Sequence, residues 1–365
     1  MIVPPGSTIG IIGGGQLGRM MAIAAAQLGY RCHIYDPHEA PCAAEVSAEF
    51  TRAAFDDEAA LVRFAAACDV VTYEFENLPV APLAALGDKL RPGVRSLEVA
   101  QDRAVEKRFI ESCGASVAPW REVGSVEQLD AAVAALGMPL VLKSRRLGYD
   151  GKGQAWVRDP AEARAAWDSI GNASAVAEAA VNFEAEFSIL IGHWANGVTS
   201  SFNAPQNEHR NGILHRSSLP AGPRVRGMLE MAGTQASRLV RELGHIGMFT
   251  VEFFATRDGP IVNEIAPRVH NSGHWTIEGA VTSQFEQHIR AICNLPLGSP
   301  KLVQLEIEMI NLIGGEANDW AAILADPQAN LHLYNKGEAR PGRKMGHVTW
   351  LRLPNHPPPN WARGD

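Results

Sequence analysis

Two glutamates on either side of a short bend, Glu252 and Glu264, are where this sequence first offers chemistry. Phe249, Val251 and Phe253 alternate with Met248, Thr250, Glu252 and Phe254, which is the periodicity of a strand. Arg257-Asp258-Gly259 reads as a three-residue hairpin turn, with a glycine free to take the left-handed conformation. With Thr256 and Pro260 as the closing pair, Glu252 falls opposite Glu264. Facing carboxylates repel. At ~5 Å and an effective dielectric of ~20 the repulsion is roughly 3 kcal/mol. A cation between them removes that cost. Two hard oxygen ligands that leave room for waters and phosphate suit Mg²⁺ better than Zn²⁺. The pair reads as a Mg²⁺–nucleotide site; taken alone, it also reads as two solvated glutamates on an exposed sheet face.

A second constellation lies upstream. Pro139–Lys143 is a buried strand ending in a lysine, and it runs into Ser144-Arg145-Arg146-Leu147-Gly148-Tyr149-Asp150-Gly151-Lys152-Gly153-Gln154. Glycines flanked by cations make a loop rich in free N–H groups, which suits a triphosphate. The spacing is not GxxxxGK[ST], so this is a different kind of nucleotide site. Arg103 and Lys107 lie one helical turn apart, either solvated or reaching for one anion. Lys336, Arg340, Arg343 and Lys344 cluster near Pro341-Gly342, as a solvated basic loop or a phosphate site. His270 and His274 invite a zinc reading, but Gly273 between them argues against a helical ligand pair.

The elements that must position these residues fall into three stretches. Residues 1–96 begin with the strand Thr8–Ile12, the turn Gly13-Gly14-Gly15-Gln16-Leu17-Gly18, a helix through Leu28, and the strand Arg31–Tyr35 closed by Asp36. That is the layout of a Rossmann-like dinucleotide-binding unit. The turn reads as an NAD site, as a site for another phosphate, or as tight geometry with no ligand. Asp69–Tyr73 is a further parallel strand, with Glu74-Phe75-Glu76-Asn77 at the end where open α/β sheets bind ligands. Residues 97–300 carry a helix over Leu97–Cys113 and a capping box at Ser125–Gln128 that starts the helix Val126–Leu136. Residues 301–365 hold strands near Leu305–Leu312, Leu331–Asn335 and His347–Leu353, then a Pro-rich tail, Pro354–Asp365, expected to be extended or disordered. The fold class is α/β and α+β: an N-terminal parallel sheet, a central domain with a glycine-rich lid at about 117–184, and a small C-terminal β-rich domain.

Composition sets limits. With 365 residues, 46% apolar and 20% charged, the chain has the make-up of a globular protein of two or three domains. A net charge of −7 argues against nucleic acid or an acidic membrane surface as partner. Five scattered cysteines form no CxxC pair, so neither a disulfide framework nor a zinc site is indicated, and a cytoplasmic location is expected. Glycines interrupt the first apolar run, so no signal peptide is expected, and no run is long enough to span a membrane.

Six blocks carry a resemblance: GGGQLGR at Gly13–Arg19, YEFENLP at Tyr73–Pro79, GYDGKGQ at Gly148–Gln154, NEHRNGIL at Asn207–Leu214, NEIAPRVHNSGHWT at Asn263–Thr276, and RPGRKMGH at Arg340–His347. On these the chain resembles the ATP-grasp superfamily, and within it the N5-carboxyaminoimidazole ribonucleotide synthetase family of purine biosynthesis. The resemblance implies a ligase of IMP synthesis with ATP, Mg²⁺, bicarbonate and 5-aminoimidazole ribonucleotide as its small-molecule partners. Carboxyphosphate forms and breaks down to CO₂, which the exocyclic amine captures as a carbamate. Arg103 and Lys143 are then expected at the ATP phosphates, with Gly148, Tyr149, Asp150, Gly151, Lys152, Gly153 and Gln154 closing over them. Glu178, Ala179, Ala180 and Val181 would hold adenine, and Glu186 the ribose. His209 and Asn263 would contact the nucleotide, and Glu252 and Glu264 the metal. Arg268 would position bicarbonate. Tyr149, Asp150, Lys152, His270 and Asn271 would surround the aminoimidazole ribonucleotide, with Lys336 and Arg343 at its phosphate. Asp150, Lys143 and Arg268 are the expected catalytic groups. A homodimer is implied too.

Three departures from the family pattern stand out: Ala266 replaces an asparagine ligand of many relatives, Leu147 a common glycine, and Gln206 a common glutamate. Three other readings remain open on sequence: a formate-dependent transformylase of the same superfamily, a nicotinamide oxidoreductase, and a nucleotide-binding regulator without turnover.

Overall fold

The computed structural model describes residues 1–148 and 153–352. The tail expectation therefore lies outside the described residues. Four short strands, β1 (Thr8–Ile12), β2 (Arg31–Asp36), β3 (Glu49–Arg52) and β4 (Val70–Tyr73), form a parallel sheet in the order β3-β2-β1-β4. β1 from Ile9 onward and all of β4 are buried because both faces are covered. The turn after β1 is tight: Gly13 has φ +98° and donates its N–H to the Tyr35 carbonyl at 2.9 Å. It delivers the chain into the helix Gln16–Gln27, which packs on a later helix, Gln284–Ile292. That contact ties the N-terminal sheet to the rest of the protein through one shared core, which includes Met20, Met21, Phe285 and Ile289.

A second sheet of four strands is antiparallel, in the order β5-β8-β6-β7: β5 (Trp120–Val123), β6 (Leu140–Ser144), β7 (Gln154–Val157) and β8 (Ala175–Ala179). Ser125 starts the helix behind it by accepting the Gln128 N–H at 3.4 Å, while the Gln128 side chain accepts from the Gly124 N–H at 2.6 Å.

The third sheet has nine strands. β9 (Ala185–His193), β11 (Gln206–Arg210), β12 (Ile213–Leu219), β13 (Gly247–Ala255) and β14 (Pro260–Ala266) run on directly into β15 (Glu306–Ile313), β16 (Ala329–Leu333) and β17 (Lys344–Arg352). The short strand β10 (Thr199–Ser201) pairs with β9 off this path. β15 pairs with β12, so the C-terminal strands extend the central sheet.

Two local expectations need correction. The helix anticipated over Leu97–Cys113 is two helices, Val94–Ala100 and Arg103–Ser112. Asp102 takes an extended conformation and caps the second, so the chain turns there. In the hairpin of β13 and β14, Ala255 closes against Pro260, not Thr256. A bulge at Asn263 then restores the anticipated register, and Glu252 does pair with Glu264.

Candidate active site

The bulge decides what the hairpin presents. Asn263 and Glu264 are both partly buried, and both reach the space between the second and third sheets. The Asn263 Oδ1 accepts from the Lys143 Nζ at 3.5 Å. The Glu264 Oε2 accepts from the Arg103 NH1 at 3.2 Å. Ala266 pairs with Thr250 further along the hairpin. Glu252 bonds the His270 Nε2 at 2.9 Å. Burial alone would raise the Glu252 carboxyl, but His270 and His209 outweigh it and hold it at about 2.

β14 is an edge strand, and its outward N–H groups are covered. The Val262 N–H donates to the Ser116 carbonyl at 2.8 Å, and the Ile265 N–H to the Glu106 Oε1 at 2.7 Å. Glu106 lies on the helix Arg103–Ser112, whose first turns tie β14 to β8. Asp102 caps it, Arg103 meets Glu264, Glu106 holds β14, and Lys107 reaches Glu178 at 3.1 Å. Burial pushes the Glu106 carboxyl up to about 8 despite Arg103 beside it.

Lys143, at the end of β6, donates to the Glu178 Oε2 at 3.0 Å. Glu178 is thus sandwiched between two buried lysines. Burial opposes its ionisation, yet Lys143 and Lys107 bring it to about 2. The asymmetry is physical. Glu178 sees several cations, all attractive, whereas burial lowers the Lys143 ammonium and Arg103 and Lys107 add repulsion that Glu178 only partly offsets. The Glu178 carboxylate is therefore paired with Lys143 on one oxygen and Lys107 on the other. The N–H groups of Ala179 and Ala180 are bonded to the Pro119 and Pro139 carbonyls at 2.9 and 3.0 Å. Val181 follows beyond the strand, partly buried.

Glu186 on β9 and His209 on β11 meet at 2.6 Å. Burial disfavours the charged imidazole, but Glu186 and Glu252 raise it overall. The lid loop is pinned at its base, where the Ser144 N–H donates to the Gly153 carbonyl at 2.8 Å. Gly153 has φ +69°, and a Cβ there would stand 2.3 Å from the Ser144 Oγ. Gln154 pairs with Lys143 in the ladder, and Gly148 is partly buried. Tyr149, Asp150, Gly151 and Lys152 lie outside the described residues.

The Arg268 fork is already engaged. Its Nε and NH2 donate to the two oxygens of Glu76 at 2.5 and 3.1 Å, and its NH1 to the Val269 carbonyl at 3.2 Å. Burial opposes both charges, but the pairing raises the guanidinium and lowers the Glu76 carboxyl. Asn271 is engaged with the C-terminal strands. Its amide forms a reciprocal pair with Asn311 on β15, at 2.8 Å in each direction, and so braces that strand. His270 bonds Ser272 at 2.8 Å, and His274 packs against Phe285 and His347. Among the described residues no cluster of three or more His, Cys, Asp or Glu side chains is arranged to hold a metal.

The N-terminal glycine turn is filled by the protein's own carboxylates. Glu74 accepts from the Gly15 N–H at 2.5 Å and the Gly18 N–H at 2.7 Å, and Asp36 accepts from the Gly14 N–H at 2.7 Å. These are the groups a pyrophosphate would need, so the turn is not a dinucleotide site as it stands. Lys336 lies within electrostatic reach of Glu74, and burial lowers its ammonium. Its Nζ donates to the Lys344 carbonyl at 3.3 Å, and the Arg343 NH1 to the Glu338 carbonyl at 3.3 Å. Sequence reading placed Glu74 and Glu76 at the ligand-binding end of a parallel strand without a partner for either, and it missed Asp102, Glu106 and Asn311 as parts of the site. Of the missed residues Asp102 alone carried a signal, as an aspartate able to cap a helix.

A nucleotide cleft between two antiparallel sheets, lined by Lys143, Arg103 and paired glutamates, defines an ATP-grasp protein. Family models agree. The ribonucleotide synthetase preATP-grasp domain matches residues 6–101, the ATP-grasp domain 108–285, and the phosphoribosylaminoimidazole carboxylase C-terminal domain 308–353. The N5-carboxyaminoimidazole ribonucleotide synthase of Brucella melitensis is 47% identical over 353 residues, spanning 95% of this chain and 97% of that protein. A crystal structure of an ADP complex of N5-carboxyaminoimidazole ribonucleotide synthetase superposes with a TM-score of 0.92 at 43% identity, covering 96% of this chain and 94% of that one. The Aspergillus clavatus enzyme, in complex with ADP and 5-aminoimidazole ribonucleotide, gives a TM-score of 0.89 at 30% identity, covering 95% and 94%. The chain belongs to the N5-carboxyaminoimidazole ribonucleotide synthase family.

Proposed function

We propose that this protein carboxylates 5-aminoimidazole ribonucleotide on its exocyclic nitrogen, with ATP and bicarbonate as co-substrates, as a ligase of purine synthesis. The observation that carries the reading is the convergence of Lys143 and Arg103 on Asn263 and Glu264, with Glu252 directly opposite Glu264. This donor set of hard oxygens fits Mg²⁺. Glu252 and Glu264 would hold it, and when bound it supplies positive charge beside the phosphates.

The remaining chemistry falls to side chains. Lys143 and Arg103 neutralise the γ-phosphoryl group as a bicarbonate oxygen attacks it and ADP leaves. Arg268, anchored by Glu76, offers bicarbonate its remaining N–H donors. The carboxyphosphate so formed breaks its C–O bond to give CO₂ and inorganic phosphate. The amine nitrogen then attacks the carbon of CO₂ and loses a proton, which Asp150 accepts or orients. Water must be excluded until then, the task of the segment Gly148–Gln154. Val181 and its neighbours take adenine, and Glu186 with His209 the ribose. His270, Tyr149 and Lys152 line the substrate's base, and Lys336 and Arg343 its phosphate. A homodimer in the cytoplasm accompanies this reading; among the described residues no helix is long and apolar enough to cross a membrane.

The test is ADP release with each component omitted in turn. The reading requires both bicarbonate and 5-aminoimidazole ribonucleotide. Release with formate and glycinamide ribonucleotide instead would move the protein to the related transformylases, and release that needs neither acceptor would refute the reaction.

A further inference from the structure

Asp102 is a buried carboxylate that the chemistry above leaves unused. Its Oδ1 caps the helix Arg103–Ser112 through the Ala104 and Val105 N–H groups at 3.1 and 3.4 Å. A cap needs no more than that, and serine or asparagine would supply it. Asp102 does more. Arg145 grips both of its oxygens, Nε to Oδ1 and NH2 to Oδ2, each at 2.9 Å, and the Arg146 Nε adds a bond to Oδ2 at 3.3 Å. Burial would raise this carboxyl, but Arg145 holds it below the usual range.

The position of the clamp gives it meaning. Arg145 follows β6, two residues beyond Lys143, so it belongs to the second sheet. Asp102 directly precedes Arg103, which bonds Glu264 on the third sheet. A parallel backbone bond, Arg103 N–H to the Arg145 carbonyl at 2.9 Å, runs beside the clamp, and the Arg145 N–H is fixed to the Ser174 carbonyl at 2.9 Å. The two cations assigned to the phosphates are therefore joined, within a few covalent bonds, through one carboxylate.

We propose that Asp102 is a positioning residue that sets the gap between the sheet carrying Lys143 and the sheet carrying Glu252 and Glu264, and thereby the affinity for nucleotide. This rests on the reading of the gap as the ATP cleft. A bidentate charge-assisted pair suits the task, because it fixes angle as well as distance. Lysine in place of Arg145 would keep the charge and lose that geometry.

Asp102→Asn retains the cap acceptor and weakens the clamp. Calorimetry with Mg·ADP should show Kd rising about tenfold or more, the scale of losing a charged hydrogen bond. In turnover the KM for ATP should rise similarly while kcat stays within about threefold. Arg145→Gln should give the same change, and the double variant should be no worse than either single one. A merely structural cap predicts a lower Tm with an unchanged KM. An unchanged Kd for ADP in folded Asp102→Asn would overturn the proposal. If that variant does not fold, Arg145→Gln, at a side chain 27% exposed, decides in the same way. Should the wild type bind ADP but fail to carboxylate its proposed substrate, the reaction assignment falls while the ADP measurement still judges the clamp.

Discussion

Removing the charge of Glu178 tests the electrostatics of the cleft most sharply. Its carboxylate, 4% exposed, lies between the buried ammoniums of Lys143 and Lys107. Burial opposes the anion and the two lysines over-compensate, bringing the carboxyl from its ordinary 4.5 to about 2. At about 1.4 kcal/mol per tenfold change in proton affinity, folding favours this anion by roughly 3 kcal/mol. Because the folded value is depressed, the stabilisation is fully present above 4.5 and is lost as pH falls through about 2. Glu178→Gln leaves two buried cations uncompensated, which costs about 3–5 kcal/mol when one partner of a buried pair is removed. Urea unfolding at pH 7 should show that loss, and the gap between variant and wild type should narrow on acidification below 4.5. Adding Lys107→Met should recover about half or more of it, since an apolar isostere no longer needs a partner. A single variant within about 0.5 kcal/mol of wild type at pH 7 would refute the reasoning.

Three further outcomes follow from the same geometry. Glu264→Gln should reduce turnover by about 10³-fold or more with an unchanged unfolding midpoint, and activity near wild type would remove the metal assignment. Gly15→Ala would place a Cβ 2.5 Å from the Glu74 Oε1, expelling that carboxylate from the glycine turn. Its unfolding free energy should fall by about 1–3 kcal/mol, and an unperturbed midpoint would show that Glu74 does not need its two N–H partners. Asn271→Ala breaks the reciprocal pair with Asn311, so it should cost about 1–3 kcal/mol of stability and leave the KM for the aminoimidazole ribonucleotide nearly unchanged. A large KM effect at intact stability would place Asn271 at the substrate site.

What the sequence made legible is local. Alternation placed Glu252 on a strand and the glycine marked the bend, so the facing acids were foreseen. The loop closes one residue earlier than anticipated, at Ala255, and the bulge at Asn263 cancels the error. Nothing in local alternation announces a bulge, yet the bulge residue Asn263 is the one whose amide oxygen meets Lys143. The glycine turn was legible as an N–H cradle, but what fills it was left open among a dinucleotide, another phosphate and no ligand. Its occupant, Glu74, stands 56 residues from Gly18, a separation no periodicity can bridge. Arg268 and Glu76, 192 residues apart, are joined for the same reason only in three dimensions. The helix break at Asp102 was visible in principle, because aspartate is a strong N-cap, but the apolar spacing on either side ran on smoothly. Pairing between β12 and β15 likewise depends on which edge of a sheet lies open, and strand periodicity does not report that.

The most direct measurement follows the oxygen atoms of bicarbonate. If Lys143 and Arg103 hold the γ-phosphoryl group against a bicarbonate oxygen across from the paired glutamates, that oxygen ends on phosphorus when carboxyphosphate breaks down. Turnover with ATP, 5-aminoimidazole ribonucleotide and ¹⁸O-bicarbonate should therefore release inorganic phosphate carrying one heavy oxygen per molecule. Phosphate without label, formed alongside the carboxylated product, would contradict the phosphoryl transfer on which this account of the cleft depends.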